Sequence, residues 1–160
     1  MQHGLEPFFA PRGVALVGAS ATPNKLSYGI LRNMTLYGYQ GQIAPVNPKV
    51  DEILGLKCYP DIASVPDPVD LAVIILPAPA IPEVLEDCGK RGIQAVTVIS
   101  GGFKEIGEGG ADLEKKIVSI VQRYKMRMVG PNCVGTLDIY TGLNTTFIQG
   151  LPEKGGIGFV

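Results

Sequence analysis

Residues 14–20 read Val-Ala-Leu-Val-Gly-Ala-Ser, and this stretch decides the fold. Four consecutive apolar residues without alternating polar ones are typical of a strand buried on both faces, as in a parallel sheet. Gly18 and the two small residues after it permit a tight turn or a close approach of the backbone to a ligand. The stretch therefore predicts a buried strand that ends in a loop suited to binding.

Further apolar segments repeat this pattern along the chain. Strands are predicted at 43–46, 71–76, 95–99 and 126–129, and helical periodicity is found at 27–37, 81–91 and 113–124. Gly38 and Gly92 follow the first two helices, where a glycine suits a helix end. The order strand, helix, strand, strand, helix, strand, helix, strand predicts an α/β fold with a doubly wound parallel sheet. Such a sheet has right-handed crossovers and helices on both faces, and binds its ligand at the carboxyl ends of the strands.

Two segments fall outside this alternation. Residues 51–69 are polar and contain prolines, so they are expected to form a surface connection with one helical turn at 62–65. A turn predicted at 151–156 leads into an apolar stretch at 157–160 that resembles the start of a strand. We therefore expect residues 1–150 to form one domain and residues 151–160 to be a linker and the first strand of a following, missing domain.

The composition excludes several classes of protein. A chain of 160 residues with 46% hydrophobic residues suits one soluble domain, and its net charge of -1 gives no reason to expect nucleic acid or an acidic membrane as partner. The three cysteines lack CxxC spacing and the single histidine is His3, so neither disulfides nor a metal site is expected. The absence of a leader or a long apolar run favours a cytoplasmic location.

The loop after the first strand is the first candidate site. Gly18, Ala19 and Ser20 let the backbone approach a phosphate, and the following helix offers unpaired N–H groups together with its dipole. Lys25 and Ser27 are expected to add contacts from the helix start. The sequence matches neither GxGxxG nor a P-loop, and a tight turn without a ligand remains the alternative.

The end of the second strand carries Asn47-Pro48-Lys49. An NAD-binding domain usually places an acidic residue here to accept hydrogen bonds from the ribose. A lysine instead favours a ligand with an extra phosphate on the adenosine ribose, and both NADP and coenzyme A have one. The alternative is that Lys49 is an ordinary solvated loop lysine.

The remaining strand ends complete the candidate site. Pro77 and Ala78 are small enough to border a passage, although proline also simply opens helices. Ser100 and Gly101 begin a glycine-rich stretch that indicates a mobile loop or a close backbone approach. Asn132 is a candidate for a polar contact. Its neighbour Cys133 has no nearby histidine to activate it, so a buried, unreactive thiol is preferred to a nucleophile.

Taken together, these motifs resemble the CoA-binding domain of the NDP-forming acyl-CoA synthetases, which include ADP-forming acetate–CoA ligase and the succinyl-CoA synthetase α chain. The motifs are those at 17–20, 45–49, 76–79, 100–103 and 130–135. The resemblance implies a Rossmann-like domain. It also implies contacts with the nucleotide part of CoA, which would be made by Gly18, Ala19, Ser20 and Lys49. Pro77 and Ala78 would border the cofactor, and Ser100 and Gly101 would lie near its pantetheine arm. Asn132 and Cys133 would face the reaction centre.

The same resemblance implies a function. The family converts acid, ATP and CoA to acyl-CoA, ADP and phosphate through a phosphohistidine of the following domain, and His3 matches no such motif. The chain is therefore expected to bind CoA or acyl-CoA without turnover, with the remaining synthetase domains or subunit as partners. Two alternatives stay open: a regulatory or stand-alone CoA sensor, as in some protein acetyltransferases, and an NADP-dependent oxidoreductase.

Overall fold

The computed structural model describes residues 4–156. Its helices are α1 (Leu26–Leu36), α2 (Ile81–Arg91) and α3 (Glu108–Arg123), with short 3-10 helices at Glu6–Phe8, Ala78–Ala80 and Lys104–Ile106. The strands are β1 (Gly13–Val17), β2 (Gln42–Val46), β3 (Glu52–Ile53), β4 (Leu56–Lys57), β5 (Leu71–Ile74), β6 (Ala95–Val98), β7 (Arg127–Val129), β8 (Leu137–Asp138) and β9 (Leu143–Asn144). The predicted alternation of strands and helices is confirmed.

A five-stranded sheet in the order β2-β1-β5-β6-β7 forms the centre of the domain. All of its neighbouring strands are parallel, with Val14 in register with Ile43 on one side and with Leu71 on the other. The chain leaves β1 toward β2 and later adds β5 on the other side of β1. The loops after β1 and β5 therefore diverge, and a crevice opens at their carboxyl ends.

Each face of the sheet carries its own hydrophobic core, which explains why the strand sequences are apolar throughout. Every residue of β1 is buried. Ala15 and Val17 point toward α2 and α3, whereas Val14 and Leu16 pack beneath α1. Helices thus cover both faces, and the predicted doubly wound α/β architecture is confirmed.

Residues 51–69 form a largely exposed connection, as expected, but have no helix at 62–65. They contain the β3–β4 hairpin, and 62–65 is a turn in which Asp61 Oδ1 accepts hydrogen bonds from the backbone N and the Oγ of Ser64, both at 2.7 Å. Ile62 and Val65 belong to the core beside α2. The helical turn was therefore wrong, and the burial of Ile62 and Val65 was not predicted, because isolated apolar residues among prolines have no periodicity from which burial can be inferred.

The chain after β7 returns over the α1 side of the sheet. Leu143 is completely buried there, and the Asn33 side chain on α1 donates hydrogen bonds to the backbone oxygens of Thr146 and Ile148, both at 2.8 Å. Residues 151–156 have no regular secondary structure, and the strand predicted to begin at residue 157 lies outside the described residues. In the described part of the chain no helix is both long and apolar enough to cross a membrane.

Candidate functional site

A cleft of about 790 Å³ lies where β1, β2 and β5 end. Its volume falls within the range of small-molecule sites, roughly 300–1,000 Å³. Of the residues predicted from the sequence, the cleft is lined by Gly18, Ala19, Ser20, Lys25, Ser27, Asn47, Lys49 and Pro77. The structure thus brings together residues from three separate strand ends, as the carboxyl-edge rule predicts.

The loop after β1 lies in close contact with the ends of β2 and β5. The backbone N–H groups of Gly18 and Ala19 both donate to the Val46 oxygen, at 3.0 and 3.3 Å. Gly18 has a φ of +88°, and a Cβ there would lie 1.9 Å from the Ile75 oxygen. Glycine is therefore required by the backbone conformation and by the closeness of β5, whether or not a ligand is bound.

The first turn of α1 forms one side of the cleft. Lys25 occupies the N-cap position with an extended backbone and makes no side-chain capping bond, and Ser27 is buried in the turn that follows. The unpaired N–H groups and the positive end of the helix dipole therefore favour an anion at this point.

Two lysines give this side of the cleft its positive charge. Lys25 and Lys49 are both exposed. Among residues 4–156 neither of them forms an ion pair, whereas Lys90, Lys104 and Lys115 do. Lys25 at the start of α1 and Lys49 after β2 line the same cleft, and two cations together with a helix N-terminus favour a ligand with more than one phosphate.

The lining also contains residues that the sequence analysis missed. They are Leu26 in the first turn of α1, Pro60, Asp61 and Ile62 after β4, and Glu83, Val84 and Asp87 on α2. Glu83 and Asp87 are four residues apart on α2 and therefore share a face. This spacing can be recognised in the sequence. Helical periodicity does not indicate, however, which strand end lies next to that face of α2. The cleft is consequently cationic at α1 and β2, and acidic at α2.

A second group of predicted residues lies together at the ends of β6 and β7, outside the lining of the cleft. The Ser100 Oγ accepts a hydrogen bond from the Leu76 N at 3.0 Å, and the Ser100 oxygen accepts one from the Asn132 N at 2.9 Å. A Cβ added to Gly101 would lie 3.3 Å from the Asn132 Oδ1. Ala78 is buried at the start of the 3-10 helix that precedes α2.

Cys133 follows Asn132 and is half-buried. Its thiol donates to the Val98 oxygen at 3.3 Å, and burial raises the pKa of this thiol above its ordinary value. A thiol in this state is a poor nucleophile. The geometry therefore favours the unreactive interpretation, while a contact between Cys133 and a ligand stays a prediction.

The described residues show no arrangement suited to a metal ion, since residues 4–156 contain no cluster of three or more His, Cys, Asp or Glu side chains. The cleft does fit a nucleotide that carries several phosphates and an uncharged arm. It offers two lysines that form no ion pair within residues 4–156, a small-residue loop at a helix N-terminus, and apolar side chains such as Leu76 and Val84.

Comparison with known proteins agrees with this geometry. Residues 12–138 match the model of a family described as the CoA binding domain. An ADP-forming acetate–CoA ligase of Methanocaldococcus jannaschii is 45% identical over 150 residues, which cover 94% of this chain and 21% of that protein. The alpha subunit of ADP-forming acetate–CoA ligase II of Pyrococcus furiosus is 41% identical over 156 residues, which cover 98% of this chain and 34% of the subunit.

Comparison with solved structures identifies a protein of the same kind. A dinucleotide forming acetyl-coenzyme A synthetase 1 of Ca. Korarchaeum cryptofilum, solved in complex with phosphate and ADP, superimposes with a TM-score of 0.86 and 46% identity. The match covers 90% of this chain and 31% of that one. The chain thus spans between 21% and 34% of the length of the curated relatives described above.

Proposed function

Because this chain belongs to the CoA binding domain family, we propose that its cleft holds the nucleotide part of CoA for an NDP-forming acid–CoA ligase. The reaction proposed for the longer protein is acid + ATP + CoA ⇌ acyl-CoA + ADP + phosphate. The observation that carries the proposal is the pair of lysines without ion pairs, Lys25 and Lys49, in one cleft with the Gly18–Ser20 loop.

Each end of the cationic side has its own role in the proposal. Gly18, Ala19 and Ser20 let the pyrophosphate approach the backbone closely, and the N–H groups and dipole of the first turn of α1, beside Lys25 and Ser27, bind it. Lys49 binds the phosphate on the ribose. Lys25 lies at the start of α1 and Lys49 lies after β2, so each lysine is assigned to a different phosphate group.

The rest of the ligand follows the strand ends across the sheet. Pro77 and Ala78 border its path, and Ser100, Gly101, Asn132 and Cys133 lie near the far end of the pantetheine arm. When bound, CoA supplies the thiol that carries the acyl group. The role of this chain is to orient that thiol at the β6 and β7 ends.

We propose that this chain does not catalyse the ligase reaction by itself. The only histidine is His3, which lies outside the described residues. The phosphohistidine and the nucleoside triphosphate site would then belong to the remaining domains or to a second subunit, in agreement with the likeness to a ligase alpha subunit. A cytoplasmic location and the absence of nucleic-acid and membrane partners belong to the same proposal.

Calorimetric titration with CoA and dephospho-CoA tests the assignment of Lys49. Replacing Lys49 with Ala should weaken CoA binding by roughly 1–2 kcal/mol and change dephospho-CoA binding much less, because only CoA carries the ribose phosphate. Lys116→Ala is the control, since Lys116 is exposed on α3 away from the cleft. Equal losses of affinity for both ligands would show that Lys49 does not contact the ribose phosphate. Tighter binding of NADPH than of CoA would overturn the proposed function.

A further inference from the structure

Asn47 occupies the position between the two phosphate-binding loops. Its side-chain Nδ2 donates to the Ala19 oxygen at 2.7 Å, and its Oδ1 accepts from the Lys49 N at 2.9 Å. A single carboxamide therefore joins the loop after β1 to the loop after β2.

The backbone of Asn47 is held as firmly as its side chain. Its N–H donates to the Tyr59 oxygen at 2.8 Å, and its oxygen accepts a long hydrogen bond from the Cys58 thiol at 3.7 Å. These bonds attach Asn47 to the segment after β4, which packs along the edge of β2. The carboxamide therefore starts from a fixed point, and it holds the two loops together alongside the bonds from the Gly18 and Ala19 N–H groups to the Val46 oxygen.

From these contacts we infer that Asn47 is a positioning residue that sets the spacing between the Gly18–Ser20 loop and Lys49. The Lys49 side chain is exposed, and the hydrogen bond from the Lys49 backbone N–H to the Asn47 side chain holds the backbone from which this side chain extends. Groups that are already held in the binding geometry lose less conformational entropy when the ligand binds, so they bind it more tightly. Asn47 thereby allows the two loops to hold two phosphates at once.

This inference rests on the proposed function, and it differs from a direct contact of Asn47 with the ligand. A residue that bonds the ligand itself contributes independently of Lys49. A positioning residue contributes through Lys49, so its effect on recognition of the ribose phosphate disappears once Lys49 is removed.

The test is the ratio of the dissociation constants for dephospho-CoA and CoA, measured by calorimetry on the full chain. Lys49→Ala should lower this ratio by about 5- to 30-fold, which corresponds to 1–2 kcal/mol. Asn47→Ala and Asn47→Gln, which cannot make the bond to the Lys49 N–H in the same geometry, should lower it in the same direction. The double variant Asn47→Ala with Lys49→Ala should show the ratio of Lys49→Ala alone.

Two further variants separate positioning from a general loss of structure. Asn47→Ser retains a short acceptor for the Lys49 N–H and should restore much of the ratio while both ligands bind more weakly. Asn33→Ala removes an asparagine that also bonds two backbone oxygens, far from the cleft, and should lower thermal stability with an unchanged ratio.

A wild-type ratio in Asn47→Ala and Asn47→Gln would overturn the inference, as would effects of Asn47→Ala and Lys49→Ala that add in the double variant. In both cases a normal response of Lys49→Ala would leave the proposed function intact. If the wild-type chain binds no CoA, the proposed function itself fails.

Discussion

The position after β1 admits only glycine. Gly18 combines a positive φ of +88° with a close backbone neighbour, since an added Cβ would lie 1.9 Å from the Ile75 oxygen. Backbone atoms cannot rotate away as a side chain can. The same residue thus closes the turn, brings the end of β5 near, and shapes the floor of the cleft.

Replacing Gly18 with Ala should therefore lower the free energy of unfolding by more than the cost of the backbone conformation alone, which is about 1–2 kcal/mol. Gly55→Ala is the matched control, because Gly55 has a φ of +76° but nothing within 4 Å of the added Cβ. Urea denaturation measures both. Equal losses for the two variants would show that the contact with Ile75 is unimportant.

The sequence located the cationic residues of the site but not the acidic ones. Lys25 and Lys49 lie in the segments that follow β1 and β2, and a strand end in a doubly wound sheet has a known location relative to the ligand. Glu83 and Asp87 lie within α2, where periodicity fixes only which face is buried. Asp61 lies in a segment without periodicity, so its place beside the cleft depended on tertiary packing.

At the scale of elements, an ion pair joins the beginnings of β1 and β5. The Arg12 guanidinium donates to both carboxylate oxygens of Asp70, from Nε at 3.0 Å and from the terminal nitrogen at 2.7 Å, and the Arg12 backbone N–H donates at 2.8 Å. The hydrogen bond from the Arg12 side chain is the main reason why the pKa of Asp70 is lowered. The pair fixes the two central strands at the edge opposite the cleft.

A lowered carboxyl pKa makes folding dependent on pH. The stabilisation is present above the pKa of Asp in an unfolded chain, about 3.9, and is lost as the pH falls through the lower pKa of the folded state. Below about pH 4, the wild-type chain should therefore lose more stability than Asp70→Asn, in urea denaturation at several pH values. Asp112→Asn, which removes an exposed pair with Lys115, should resemble the wild type. Equal pH dependence in Asp70→Asn and wild type would contradict this role.

The segment between β4 and β5 should be important for stability as well as for the cleft. Ile62 is only 4% exposed, so Ile62→Ala should cost about 2–5 kcal/mol, the usual range for a buried isoleucine. Ile106 is 70% exposed, and Ile106→Ala should change stability by about 0.5 kcal/mol or less. Thermal unfolding of the pair checks this. A small effect of Ile62→Ala would mean that the segment is a peripheral loop, as the sequence had suggested.

At the scale of the whole molecule, the order of elements was predictable because the fold follows from few rules. Continuous apolar strands alternate with amphipathic helices, and this pattern permits little besides a parallel sheet covered on both faces. The β3–β4 hairpin and the return of the chain after β7 were not predicted. Their strands are only two residues long, and the return of the chain depends on contacts with residues distant in sequence, such as the bonds of Asn33 to Thr146 and Ile148.

We propose that the chain holds CoA in the cleft at the ends of β1, β2 and β5. Titration of the ¹⁵N-labelled chain with CoA, followed through the backbone amide resonances, tests it most directly. The largest shifts should occur at Gly18, Ala19, Ser20 and Lys49, and those at Lys49 should shrink with dephospho-CoA. Shifts concentrated instead in the groove beside Tyr37, Tyr39 and Tyr140, at the opposite end of the sheet, would contradict the account.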